Sequence, residues 1–193
     1  MKEKVILVDC DGVLVDWEYA FDCWMDFNGY KKTNENGYLA TIKYGIPYEQ
    51  AENRIKMFNQ SAAIGYLPPL RDSIYYIKKL HEQHGYIFHM ISSLGKEPHA
   101  QKLRVQNTEM LFGKTAFEKY IFLDTNEEKS KPLSLYANTE CYWIEDKPEN
   151  AIEGLKQGLN SILINHHYNT SFSGDKMVKR ANDWKEIYNI ITA

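Results

Sequence analysis

Cysteine is scarce in this sequence and is not spaced for pairing. Only Cys10, Cys23 and Cys141 occur among 193 residues, an odd count without CxxC spacing. That argues against a disulfide framework and against a zinc site, and a reducing compartment is the simplest reading. Long hydrophobic runs are also missing. No stretch approaches the roughly 18 apolar residues that a membrane-spanning helix needs. Positive charge is not in excess: the formal net charge is -3, so a basic nucleic-acid-binding surface is not expected and an anionic substrate would need local neutralisation. Internal repeats and low-complexity tracts are absent. The first apolar run begins by Val5, which leaves no space before it for a targeting segment. These absences lead us to expect a soluble, cytoplasmic protein that does not meet a membrane or a nucleic-acid polymer. They leave its oligomeric state open.

What is present is the composition of one ordinary globular domain with a small insert, at 44% hydrophobic and 25% charged residues. Short apolar runs at 5–8 (VILV), 86–91 (YIFHMI), 120–123 (YIFL), 141–144 (CYWI) and 161–164 (SILI) are too short for helices and read as buried strands. Helical patterns lie between them at 71–85, which stops at Gly85, and at 147–158, which opens near Pro148 and stops at Gly158. Strands alternating with such helices predict an α/β fold whose central parallel sheet is covered on both faces. Residues 17–67 break the rhythm. They carry helical patterns at 16–30 and 47–60 and no good strand, and YLPPL (66–70) reads as the return to the main domain. We expect a core domain of residues 1–16 and 68–193, with a helical cap at 17–67.

Parallel sheets bind ligands beyond the carboxyl ends of their strands. The first strand ends in Asp9 and Asp11, the second in Ser92 and Ser93, the fourth in Glu145 and Asp146, and Lys129 and Lys131 precede the fourth. Two acids closing a buried strand repel one another unless a cation relieves them. Clustered carboxylates are hard oxygen ligands that suit Mg²⁺. A carboxylate at such a site can attack phosphorus, and a second can protonate the leaving oxygen and then activate water. A serine hydroxyl and an ammonium offset charge on the phosphoryl oxygens.

These residues resemble the motifs of the haloacid dehalogenase (HAD) superfamily of phosphohydrolases. The DxDGV motif is Asp9-Cys10-Asp11-Gly12-Val13, the strand-ending serine is Ser92, the lysine opening a helix is Lys131 with Lys129 as its rival, and the acidic pair is Glu145-Asp146. Asn150 stands where some branches have a further acid. The segments DCDGVLVDWE, ISSLGK and IEDKPEN are similar, more narrowly, to those of 5'(3')-deoxyribonucleotidases. The resemblance implies a HAD-like Rossmannoid three-layer sandwich with a small helical cap after the first strand. It implies Mg²⁺-dependent hydrolysis of phosphomonoesters, nucleoside monophosphates first. Asp9 would be the nucleophile and Asp11 the acid and base. Asp9, Asp146 and the Asp11 backbone carbonyl would hold the metal. Ser92, with Ser93 as its substitute, and Lys131 would hold the phosphoryl group. Trp17 would lie against a base or within the insert's core. A sugar phosphate or a nucleic-acid 3'-phosphate is the alternative substrate, and a non-catalytic nucleotide-binding or partner-binding protein is the alternative of a different class. Cys10 reads as packing, Trp184 as an anchor of the last helix, and the pair His166-His167 as weak evidence for a metal.

Overall fold

The computed structural model describes residues 4–125, 127–174 and 176–193, so the first three residues of the expected core segment lie outside it. Its centre is a six-stranded sheet in the order β3-β2-β1-β4-β5-β6, parallel at every pairing. The strands are β1 (Lys4–Val8), β2 (Tyr86–Ser92), β3 (Phe117–Phe122), β4 (Tyr142–Glu145), β5 (Asn160–Ile164) and β6 (Lys179–Ala181). The helices are α1 (Trp17–Phe27), α2 (Ala40–Tyr44), α3 (Tyr48–Gln60), α4 (Ser73–His84), α5 (Pro98–Phe112), α6 (Ser130–Ser134), α7 (Pro148–Lys156) and α8 (Trp184–Thr192).

Strand alternation sends side chains to two apolar layers. Ile6 and Val8 join Phe88, Met90, Ile144, Ile162 and Ile164 on one face, under Ile77 and Leu80 of α4 and Ile187 of α8. Leu7, Ile91 and Trp143 face the other way, against Leu133 of α6. Trp184 is fully buried and its indole N–H donates to the Val13 carbonyl at 2.8 Å, which fixes α8 to the turn after β1. Burial of a side chain that size is worth about 2–3 kcal/mol. Helix α7 lies very close to the sheet because of Gly154, where an added Cβ would stand 2.4 Å from Trp143 Cδ1 and 2.5 Å from Ser161 Oγ.

Between β1 and α4 the chain forms helices α1, α2 and α3 and a 3₁₀ turn at Ala62–Tyr66. Aromatic packing holds them: Trp17 stacks on Phe21 at 4.8 Å, and Phe58 meets Trp17 edge-on at 5.4 Å. The chain leaves and re-enters this insertion side by side, with Asp16 N–H donating to Pro68 O at 2.9 Å and Leu70 N–H to Leu14 O at 2.9 Å. Among the described residues no helix is long and apolar enough to cross a membrane.

The expected strands are all present, with small shifts. β3 begins at Phe117, ahead of the expected 120, where its register on β2 is irregular. The sequence pattern predicts neither β6 nor α5. β6 is three residues, Lys-Arg-Ala, with no apolar pattern. α5 buries Arg104, Asn107 and Thr108 in place of a clean apolar stripe, so its periodicity is hidden.

Candidate active site

The carboxyl ends of β1 and β4 are adjacent in the sheet, with Val8 opposite Ile144. The next residues along each strand therefore meet. Carboxylate oxygens of Asp9, Glu145 and Asp146 lie within 4.8 Å of one another, and all three residues are buried. Lys129, the N-cap of α6, is buried against them: its Nζ is 2.9 Å from Asp9 Oδ1 and 2.8 Å from Glu145 Oε2. The ammonium also lies over the Trp143 ring, 5.2 Å from its centre.

Each carboxylate is held differently. Asp9 Oδ1 accepts from Cys10 N–H at 2.7 Å as well as from Lys129, and Oδ2 has no hydrogen-bond partner among the described residues. Glu145 is fully engaged, since Oε1 accepts the N–H groups of Asp146 and Lys147 at 3.0 and 3.1 Å while Oε2 accepts Lys129. Asp146 Oδ2 accepts the Tyr168 hydroxyl, and its Oδ1 is buried without a partner.

Burial raises all three acids, and crowding adds to it. Asp9 is pushed up to about 7 by burial and by Glu145 and Asp11, with Lys129 opposing. Glu145 is likewise pushed up to about 7 by burial and by Asp146, against Lys129, and burial and Asp9 raise Asp146. Burial works against the charge on Lys129, but Asp9 and Glu145 hold the ammonium above its ordinary range. Buried acids that outnumber their cation make a site short of positive charge.

A divalent cation fits this deficit. The donors are hard oxygens, and the buried, unpaired Asp146 Oδ1 is a donor atom with nothing else to bind. Gly12 closes one side of the cluster. It has φ 72°, and a Cβ there would stand 2.8 Å from Asp146 Oδ2 and 3.0 Å from the Tyr168 hydroxyl, so neither the conformation nor the space admits a side chain.

The remaining expected residues divide. Ser92 closes β2, two residues beyond Met90, the partner of Val8, and its Oγ is buried without a hydrogen bond. Ser93, next along, is half-buried. Of the two candidate lysines, which flank Ser130, Lys131 is exposed on α6 and Lys129 is buried at the start of the helix, on Asp9 and Glu145. The Asp11 side chain is not in the cluster and instead forms an ion pair with Arg104. The Trp17 ring packs with Phe21 and Phe58, and its N–H donates to Asn59 Oδ1 at 2.9 Å, so it belongs to the insertion's own core. Cys10 is buried and its thiol is pushed up to about 12 by burial, which leaves it inert.

Two contributors escaped the sequence reading. Tyr168 reaches Asp146 from the loop after β5, and Tyr38 of the insertion stacks on it at 4.0 Å. His166 stacks on the same ring at 5.0 Å, and its Nε2–H donates to the Gly12 carbonyl at 2.7 Å. His166 thus braces the turn after β1, and His167 stands 3.7 Å from Glu18.

A six-stranded parallel sheet with acids at the ends of two central strands and a helical insertion after the first has the fold of the haloacid dehalogenase-like hydrolases. Among solved structures, the chain superposes on the haloacid dehalogenase-like hydrolase SP0104 from Streptococcus pneumoniae with TM-score 0.66, 13% identity and 98% of each chain covered. It also matches the HAD-hydrolase YfnB from Bacillus subtilis bound to magnesium, with TM-score 0.63, 11% identity and full coverage of both chains. A third match is a point mutant of CbbY from Rhodobacter sphaeroides in complex with xylulose-(1,5)bisphosphate, with TM-score 0.59, 14% identity, and 95% of this chain and 96% of that one covered. At such identities the likeness is one of fold. No protein-family model matches the sequence, and no curated protein matches it.

Proposed function

We propose that this chain is a Mg²⁺-dependent phosphomonoesterase that hydrolyses a small phosphate ester through an aspartyl-phosphate intermediate. The observation that carries this reading is the state of Asp9. One of its oxygens is pinned by Cys10 N–H and Lys129, and the other is unengaged at the sheet edge. Pinning one oxygen fixes the rotamer and directs the second at an incoming phosphorus atom.

Asp9 Oδ2 would attack phosphorus, with Ser92 Oγ, buried and unpaired, donating to a phosphoryl oxygen. Lys129 holds positive charge beside the group that gains the phosphoryl. Asp11 would give a proton to the departing oxygen and then take one from the water that cleaves the acyl phosphate. Asp9, Asp146 and the Asp11 backbone carbonyl would hold Mg²⁺, whose charge offsets that of the phosphoryl group. Residues 17–67 would act as a cap over this edge and exclude water during transfer, with 1–16 and 68–193 as the core. Ser93 and Trp17 stand at the margin of this reading, the first as a second hydroxyl and the second as cap packing.

For the organic part of the substrate, a sugar phosphate is favoured by the neighbour solved with a sugar bisphosphate. A nucleoside monophosphate is the second reading. The Tyr38–Tyr168 stack beside Asp146 favours it, since such rings offer a flat apolar surface, and so does the likeness of DCDGVLVDWE to deoxyribonucleotidases. A cytoplasmic location accords with either. A panel of sugar phosphates, 5'- and 3'-nucleotides with Mg²⁺ tests this. Turnover led by sugar phosphates supports the first reading and turnover led by nucleotides the second. No Mg²⁺-supported release of phosphate from any ester contradicts both.

A further inference from the structure

Arg104 is the least expected charged residue in the molecule. It sits in the middle of α5 with no exposed surface. One terminal nitrogen serves two groups of the turn after β1, the Asp11 carboxylate through Oδ1 and the Cys10 sulfur at 2.8 Å. Its Nε and other terminal nitrogen are buried without hydrogen-bond partners. A buried guanidinium is costly, and one with two idle nitrogens is kept at a further cost. Packing alone would be met by a methionine or leucine.

The supports of α5 explain what that cost secures. Asn107 Nδ2 donates to the Leu67 carbonyl at 3.1 Å, at the exit of the helical insertion. Leu103 packs so tightly under the 3₁₀ turn that a Cβ on Gly65 would stand 3.2 Å from it. The helix is therefore fixed to the base of the insertion, and Arg104 carries that fixed frame to Asp11. Only Oδ1 of Asp11 is used. Oδ2 accepts no hydrogen bond among the described residues, and the side chain remains 29% exposed.

We infer that Arg104 is a positioning residue for Asp11, clamping one carboxylate oxygen so that the other faces the ester and then the attacking water. This rests on the phosphatase reading. In the first step the bond from Asp9 oxygen to phosphorus forms, the bond from phosphorus to the leaving oxygen breaks, and the Asp11 carboxyl proton passes to that oxygen. In the second, Asp11 takes a proton from water, the water oxygen bonds to phosphorus, and the bond to Asp9 breaks, releasing phosphate. Both transfers need the same free oxygen held in place, and an unclamped carboxylate would rotate.

p-Nitrophenyl phosphate separates this role from a structural one, because its phenolate leaves without a proton and only the second step then calls on Asp11. The expected result for Arg104→Met is a burst of about one phenolate per molecule, then turnover about 100-fold below wild type, the scale of a general base. The phosphoryl group should persist on the protein. Arg104→Lys should recover much of the rate, and Arg104→Met should slow Asp11→Asn no further. Turnover of Arg104→Met within twofold of wild type, or losses that multiply in the double variant, would overturn the role of Arg104 alone. If Arg104→Met does not melt cooperatively, Arg104→Gln, which removes the cation but keeps a polar group, decides. A retained burst with slowed turnover supports the clamp, and burst and turnover falling together refute it. A wild-type protein without Mg²⁺-supported turnover overturns the phosphatase reading and the clamp with it.

Discussion

Lys129 Nζ lies 2.9 Å from Asp9 Oδ1 and is buried, while Lys131 two residues on is exposed. The pair is therefore a controlled comparison in adjacent sequence. Lys129→Met strands two buried carboxylates without their cation, and breaking a buried pair costs about 3–5 kcal/mol. Phosphatase activity should fall at least about 100-fold. Lys131→Met should change stability by no more than about 0.5 kcal/mol and leave turnover near wild type. Thermal melts and steady-state assays of the two variants side by side check this.

The metal-free protein should be more stable in mild acid than in base. Asp9 and Glu145 are each raised to about 7, above the roughly 4 of an unfolded chain. Between those values the folded state binds more protons than the unfolded state, so stability falls as pH rises through the window. It is fully present below about 4 and lost above about 7. In a chelator, the melting temperature at pH 5.5 should exceed that at pH 8 by at least about 2 °C. Mg²⁺ at pH 8 should restore much of the difference, and Asp9→Asn should shrink it. A melting temperature that rises with pH in the chelator would contradict the burial of these acids.

Tyr168 ties up one oxygen of Asp146 and leaves the other bare. Such outer partners orient metal ligands, and their loss costs about 10–100-fold in affinity. Tyr168→Phe should weaken Mn²⁺ binding by about tenfold or more, read by titration calorimetry without substrate. Unchanged affinity would mean that the hydroxyl does not orient Asp146 for a cation.

Gly12→Ala tests the same corner sterically. The substitution places a methyl 2.8 Å from Asp146 Oδ2 at a φ of 72°. It should destabilise by more than about 1 kcal/mol and abolish Mn²⁺ binding. A variant that melts and binds like wild type would show that the turn relaxes freely.

Much of this was legible because strands and turns write locally. Val5–Val8 and the acids after them, and the Glu145–Asp146 pair after a short apolar run, each declare themselves within a few residues. Parallel pairing of β1 with β4 then brings them together without further information. The lysine was not legible. Lys129 and Lys131 differ only in where the first turn of a five-residue helix points them, which no local pattern records. Arg104 and Tyr168 act on groups 93 and 22 residues away, and Arg104 itself spoils the apolar stripe by which α5 would have been recognised. Trp17 has helical spacing with Phe21, and the two rings stack within the insertion.

Covalent chemistry at one carboxylate is the heart of the account. Acid quenching during turnover with the ester hydrolysed fastest, followed by mass spectrometry of the peptide spanning residues 4–16, reads it directly. The account predicts a phosphoryl group on Asp9 that hydroxylamine removes and that Asp9→Asn never acquires. Rapid Mg²⁺-dependent hydrolysis with no phosphoryl group on that peptide, or with undiminished turnover in Asp9→Asn, would contradict it.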